Sequence, residues 1–250
     1  VRKAIAKGTL TEEGEWVAES LHLLQEAARG SLQITTVIAA ENMSDAVEKV
    51  LPQANSTKVA LLPERVFESV AGTKTSQGVI ALVKPRLWPI DKMFTANSLV
   101  LVLDCVQDPG NCGTLVRAAE AFGATGVLFV KGAASPYHPK TLRASAGSLF
   151  RIPYVASVEP SIARAALEHH RLAVYAGLPR ADVQPLDRAD FRIPCALVIG
   201  NEGRGVGQEF RSGAISLTIP TVHVESLNAS IAGAIFLYEA HRQRAAEVSQ

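Results

Sequence analysis

Cysteine is scarce: three in 250 residues, Cys105, Cys112 and Cys195, with no C-x-x-C pair. An odd, scattered set builds no disulfide framework and fits a reduced, cytoplasmic protein. Long apolar runs are missing as well. No stretch approaches the roughly 18–20 apolar residues of a membrane span, so no membrane partner is expected. Residues 1–7 are basic without an apolar core behind them, which excludes a secretory signal. The chain begins with Val rather than Met, so a short preceding piece is expected. Its six histidines fall in no H-E-x-x-H or other ligand spacing, and no metal is expected. Surplus charge is also lacking: 25 Lys and Arg against 24 Asp and Glu leave a net charge of +1. Nucleic-acid binders are usually more basic, so any phosphate-contacting surface must be local. His138, Lys140, Arg143 and Arg151 form one such cluster, with a plain solvated surface as the alternative.

What is present is alternation. The chain is 48% apolar and long enough for one large or two modest domains. A proline-bearing stretch at 85–97 reads as a linker between two patterned regions. Before it, apolar runs at 34–40, 58–62 and 78–84 read as strands. Helical patterns at 20–29, 44–51 and 63–70 lie between them, with stops at Gly30, Pro52 and Ala71-Gly72. This predicts a small α/β sandwich over residues 1–90. Beyond the linker, 99–104, 126–130, 172–175, 195–199 and 215–219 read as strands. Those apolar on both faces suggest a parallel sheet covered by helices, here 113–122, 139–146, 161–169 and 227–244. The expected fold is α/β throughout, with a catalytic-sized second domain over 98–250.

Three motifs in the second region carry chemistry. In the first, residues 108–117 (DPGNCGTLVR), Asn111 can cap the following helix and Gly113 permits close backbone approach. Arg117 then lies about one and a half turns in, where the helix dipole favours anions rather than cations. That placement points Arg117 at an anionic partner or, more plainly, at Glu120. In the second, residues 197–207 (LVIGNEGRGVG), a strand runs into a glycine-rich turn that exposes backbone groups to a ligand. A dinucleotide turn fits poorly, because the G-x-G-x-x-G spacing is absent and the turn comes late in the chain. In the third, residues 219–230 (IPTVHVESLNAS), Ser226 and Asn228 stand where a helix begins. They can cap it or reach a ligand. The helix has an apolar stripe of Leu227, Ile231, Ile235 and Tyr238. Its small residues Ala232, Gly233 and Ala234 predict close packing against a second helix or a second subunit, since Gly costs about 1 kcal/mol relative to Ala in a helix.

Taken in order, N-x-G-x-x-x-R at 111–117, I-G-N-E-G-x-G at 199–205, and I-P with E-S-L-N at 219–228 resemble the three motifs of the SpoU-type (TrmH-like) RNA 2′-O-methyltransferases of the SPOUT superfamily. The resemblance covers the second region. The first is similar to that family's ribosomal-protein-like accessory domain by position and pattern. The resemblance implies a trefoil-knotted catalytic domain and S-adenosylmethionine as the methyl donor, with no metal. It also implies a homodimer in which an Arg of one subunit completes the other's site. Gly200, Asn201, Ile219 and Leu227 would then contact the donor. Arg117 would be the main catalytic residue, with Asn111, Glu202, Ser226 and Asn228 orienting it, the donor or the ribose. One departure stands out: the family usually has Met after the Pro and Gly before E-S-L-N, whereas Thr221 and His223 occupy a loop here one residue shorter.

The implied substrate is structured RNA, ribosomal 23S RNA with a guanosine target favoured. The alternatives are a tRNA 2′-O-methyltransferase, a nucleotide-dependent α/β enzyme using residues 203–207, and a non-catalytic RNA-binding module of the same fold. A guanidinium is practically never deprotonated in proteins. Arg117 is therefore expected to stabilise the developing oxyanion or grip a phosphate while the proton leaves through water or that phosphate. The competing role is a literal base.

Overall fold

Residues 99–103 and 195–199 are apolar at every position, which leaves them no solvent-facing side. Both are wholly buried as neighbouring strands of one parallel sheet. The computed structural model describes residues 1–51, 57–71, 77–178 and 182–248. Two compact units divide the chain: Val1–Leu87 with Ser135–Arg151, and Trp88–Ala134 with Ile152–Gln250.

The first unit contains α1 (Arg2–Lys7), β1 (Trp16–Glu19), α2 (Leu21–Arg29), β2 (Ile34–Ala40), α3 (Ser44–Glu48), β3 (Lys58–Leu62), α4 (Glu64–Val70) and β4 (Val79–Val83). Its strands among the described residues order as β1-β4-β2-β3. Strand β4 runs antiparallel to both neighbours, and β3 lies parallel to β2 on the edge. The sequence reading places β2, β3 and α2–α4 well but passes over α1 and β1, which are too short to show a period. The helix stops read at Pro52 and Gly72 lie outside the described residues.

Helix α6 (Pro139–Ala144) comes much later in the chain yet groups with this first unit. Its flanks explain why. The Trp16 indole donates to the Pro136 carbonyl at 3.3 Å, and the same ring meets Phe150 edge-on at 5.4 Å. Arg143 pairs with buried Glu19, and Arg151 with Glu26. Two of the four cationic side chains read as a phosphate patch are therefore engaged by carboxylates within this unit. A cut at residue 90 would strip 135–151 of these partners, so truncation there does not cleanly separate two modules. Burial opposes ionisation of Glu26, but hydrogen bonds and charge from Arg151, with Arg29 adding to them, outweigh it and hold the carboxyl below its ordinary 4.5. A depressed carboxyl stabilises the fold above its unfolded value and loses that contribution as pH falls through the folded one. Glu26→Gln is thus expected to flatten the acid limb of a urea-midpoint profile between about pH 3 and 6. An unchanged limb would remove Glu26 from the account.

The second unit carries β5 (Leu99–Leu103), α5 (Pro109–Ala121), β6 (Gly126–Val130), β7 (Tyr154–Val158), α7 (Pro160–His169), β8 (Ala173–Gly177), β9 (Gln184–Pro185), β10 (Cys195–Ile199), α8 (Gln208–Arg211), β11 (Ile215–Thr218) and α9 (Ala229–Val248). The described strands order as β7-β6-β5-β10-β8-β11-β9, and every pairing is parallel. The 85–97 stretch is not free of structure: Ile90–Met93 forms a 3-10 turn, and Met93 is buried in the core beneath β6. A Cβ at Gly126 would come within 2.3 Å of that Met93 side chain, so the strand begins on glycine.

Helix α9 departs from the sequence reading in its orientation. Ile231 and Tyr238 are each 53% exposed, while Phe236, Leu237 and Ala240 are buried. Gly233 faces inward with them. A Cβ there would lie 2.2 Å from Leu115 Cδ2 on α5 and 3.2 Å from Ile199 Cγ1. The close approach expected of the small residues is therefore to α5 and β10 of the same chain, not to a second subunit. The Arg244 guanidinium locks the helix further, donating to the carbonyls of Phe191, Asn97, Ser98 and Ile193 at 2.7–2.9 Å. Gly233→Leu should consequently destabilise the folded chain itself, by at least the ~1–3 kcal/mol typical of overpacking. The loss should appear in urea midpoints at every protein concentration. A variant of unchanged stability that merely dissociates would restore the intersubunit reading.

Candidate active site

Strands β5 and β10 are paired in parallel register through Leu103 and Ile199, so both end at the same edge of the sheet. Strand β8 ends beside them at Gly177, and β11 leads through Thr218 into Ile219. Ligands of parallel α/β sheets bind outside such carboxyl edges.

The glycine-rich loop after β10 is organised by Asn201. Its backbone N–H donates to Gly205 O at 3.1 Å and its carbonyl accepts from Gly205 N at 2.8 Å. Its side-chain oxygen accepts from the N–H groups of Gly203 and Arg204 at 3.0 Å, and its amide donates to Cys105 O at 3.1 Å. The turn closes so tightly that a Cβ on Gly200 would fall 2.3 Å from the Gly205 carbonyl carbon. Gly205 itself sits at φ +69°, a conformation that favours glycine. Asn201 thus holds the loop in shape through its side chain, and the loop surrounds a cavity of 320 Å³. Gly177, Gly200, Ile219, Leu227 and Phe236 line it, with Glu202, Glu225 and Ser226 among its polar groups.

Beside the cavity three side chains meet from distant parts of the chain. Asn111 Nδ2 donates to Glu202 Oε1 at 2.9 Å, and Asn228 Nδ2 donates to Asn111 Oδ1 at 3.2 Å. Asn111 is free to do this because it is not the helix cap. Asp108 caps α5, accepting from Asn111 N at 2.8 Å, and Pro109 takes the first helical position, where its missing N–H costs nothing. Asn228 uses both ends of its amide. Its oxygen accepts from Ser230 N at 2.9 Å and Ser230 Oγ at 2.6 Å, capping α9, while its nitrogen holds Asn111.

Arg117 stands apart. Helix α5 begins at Pro109, so Arg117 is about two turns in rather than one and a half, beyond the reach of the helix dipole. The helix dipole therefore does not set the surroundings of Arg117. What remains is an exposed guanidinium with no hydrogen bond or ion pair to any described residue, Glu120 included, and outside the lining of its own chain's cavity. In the atypical loop, Thr221 Oγ1 donates to Val224 O at 2.6 Å and closes the shortened turn, while Val222 projects 86% exposed. Gly177, Phe236 and Asp104 belong to the site's framework but carry no signature in the sequence motifs. For Asp104 the available signal was a carboxylate ending an otherwise apolar strand. Two of the three thiols are buried, and burial pushes Cys112 up to about 12 and Cys195 up to about 11. Among the described residues no cluster of His, Cys, Asp or Glu could hold a metal ion.

Comparison with known proteins agrees with this arrangement. Residues 98–238 match the SpoU rRNA Methylase family, and residues 7–81 match an MRM3-like substrate binding domain. The chain is 32% identical to the 23S rRNA (guanosine(2553)-2′-O)-methyltransferase RlmP of Bacillus subtilis, over 95% of this chain and 92% of that one. It is 29% identical to a 23S rRNA (uridine(2479)-2′-O)-methyltransferase of Streptomyces viridochromogenes, over 94% and 85%. The SpoU methyltransferase AviRb of that organism, solved in complex with AdoMet, superposes with a TM-score of 0.84 at 26% identity, covering 93% of this chain and 91% of that one. The protein is an S-adenosylmethionine-dependent RNA methyltransferase. It belongs to the SpoU rRNA methylase family. The residues present suit that donor: a floor of Gly177, Ile219, Leu227 and Phe236 for a flat apolar ring, exposed loop backbone for polar edges, and Glu202 and Glu225 for a cation. The volume lies in the usual range for such ligands.

Proposed function

We propose that this chain methylates a ribose 2′-hydroxyl of 23S ribosomal RNA, with guanosine as the favoured nucleoside. The observation that carries the reading is the Glu202–Asn111–Asn228 chain at the rim of the cavity, with exposed Arg117 unpaired among the described residues. Relatives named for 23S rRNA support ribosomal over transfer RNA. The donor supplies a methyl group on a positively charged sulfur. The chain's own residues do the rest. The loop 200–205 and Leu227 fix the donor, which makes the reaction one of proximity and alignment. Glu202 and Asn228 orient the Asn111 amide, and Ser226 holds the ribose. Arg117 stabilises the oxygen that develops charge as its proton passes to water or to the adjacent phosphate.

The first unit supplies RNA affinity in this reading, and the second performs the transfer. The partner copy supplies Arg117. Exposed Ile231 and Tyr238 on α9, with Val222 and Val224 in the adjoining loop, form apolar surface suited to a homodimer, the commonest oligomer. A trefoil-knotted C-terminal segment belongs to this reading as what the family implies. Thermal shift tests donor recognition: S-adenosylhomocysteine at 100 times its dissociation constant stabilises by about 2.7 kcal/mol. A shift with S-adenosylhomocysteine and none with NAD is expected. The reverse would favour the nucleotide-dependent reading. Sedimentation should report a dimer, and a fully active monomer would sink the shared site. RNA affinity should fall steeply with salt, because phosphate contacts release counterions.

A further inference from the structure

Asp104 follows β5 and is 4% exposed, a buried carboxylate that none of the three sequence motifs includes. Its Oδ2 accepts from Gly207 N at 2.6 Å, and its own N–H donates to Ile199 O at 2.9 Å. The next residue, Cys105, takes a left-handed φ of 58°, and its carbonyl receives the Asn201 amide at 3.1 Å. The corner 104–105 therefore holds the glycine-rich loop at both ends: Asn201 near the start and Gly207 at the finish. The fit at the far end is tight, since a Cβ on Gly207 would approach Asp104 Oδ2 to 3.0 Å. Between these two anchors lie Glu202–Gly205, which line the cavity, and Glu202 also holds Asn111.

We propose that Asp104 is a positioning residue for methyl transfer, its carboxylate setting the loop 200–207 and through it both the donor cavity and the Glu202–Asn111 contact. This rests on the cavity being the donor site. An acceptor at this place is what matters: the hydrogen bond ties exposed Gly207 to the buried end of β5, and without it the loop end is free to move away from the sheet. Asp104 is not among the residues that line the cavity, so its effect is transmitted through the loop.

The test measures S-adenosylhomocysteine binding by calorimetry on the full chain, with thermal stability recorded alongside. Asp104→Ala is expected to raise Kd at least tenfold. Asp104→Asn, which keeps an oxygen acceptor and the volume, should stay within threefold of wild type. Gly207→Ala, which crowds the same contact without touching the charge, should also weaken binding. Its combination with Asp104→Ala should be no weaker than Asp104→Ala alone, because both act on one contact. Leu167→Ala, buried in α7, serves as the stability control: it should lower Tm while leaving Kd unchanged. Wild-type Kd in folded Asp104→Ala, full additivity with Gly207→Ala, or an equal Kd loss in Leu167→Ala would overturn the role of Asp104. A wild-type chain that binds no S-adenosylhomocysteine would overturn it too, together with the donor-site reading.

Discussion

Arg117→Ala is expected to lower kcat by roughly 10²–10³, the cost of removing one preorganised donor to a developing oxyanion. S-adenosylhomocysteine affinity and thermal stability should stay at wild-type values. The expectation follows from isolation. Arg117 is exposed, pairs with no described residue and lies outside its own chain's cavity lining, so nothing in the fold depends on it. Arg117→Lys keeps the charge but loses the planar fork, so a partial recovery of rate is expected. The pH–rate profile separates the two roles open to the residue. Electrostatic stabilisation leaves the essential apparent pKa in place when Arg becomes Lys, whereas a literal base moves it. Because the site is proposed to be shared, mixing Arg117→Ala with a variant disabled at Glu202 should return activity, as mixed dimers hold one intact site. No recovery in mixed dimers would place Arg117 in its own chain's site.

The second large effect concerns Gly200. Adding one methyl group there sets a carbon 2.3 Å from the Gly205 carbonyl carbon and 2.3 Å from Val206 N. Both are backbone atoms, which cannot swing aside as a flexible side chain would. The Asn201–Gly205 bridge must open, and with it the two N–H groups gathered on Asn201 Oδ1. Gly200→Ala should therefore abolish measurable donor binding, a loss of at least a hundredfold in affinity. The cost to stability should be the ~1–3 kcal/mol of overpacking in a confined place. Equilibrium binding and urea unfolding on one preparation report both. Gly203 is the control, since its nearest neighbour is Asn201 Oδ1 at 3.6 Å and a Cβ fits. Gly203→Ala should bind donor within a few-fold of wild type. Equal losses at 200 and 203 would mean that loop flexibility, not close packing, governs the site.

How much of this was legible in the sequence differs by element. Strands 126–130 and 195–199 were placed to the residue, because a segment buried on both faces is apolar throughout and bounded by turn residues. Strand β7 was not seen. Ser157 interrupts its apolar pattern at φ 56°, where the register with β6 shifts. The start of α5 was set four residues late, because Pro109-Gly110 reads as a turn although Pro is well suited to a first helical position. That error made Asn111 a cap and gave Arg117 a dipole argument it does not have. Helix α9 was placed in the chain but turned the wrong way. Its first ten residues are apolar nearly all round, so spacing alone does not choose between Ile231 and Tyr238 on one side and Phe236 and Leu237 on the other. The polar site residues were legible as motifs. The contacts that assemble them were not, since Asn111 meets Glu202 and Asn228 across separations of 91 and 117 positions. The same holds for Asp104, whose partner Gly207 is 103 positions away.

The central claim is the atom that receives the methyl group. Ribose methylation removes the 2′-hydroxyl that alkali needs in order to cleave the neighbouring phosphodiester, whereas base methylation leaves it in place. The direct measurement incubates the protein with S-adenosylmethionine labelled in the methyl group and unmodified 23S rRNA, then digests the RNA in alkali. The account predicts label in alkali-resistant dinucleotides and none when Arg117→Ala replaces wild type. Label in mononucleotides, or no incorporation by wild-type protein that binds the donor, would contradict it.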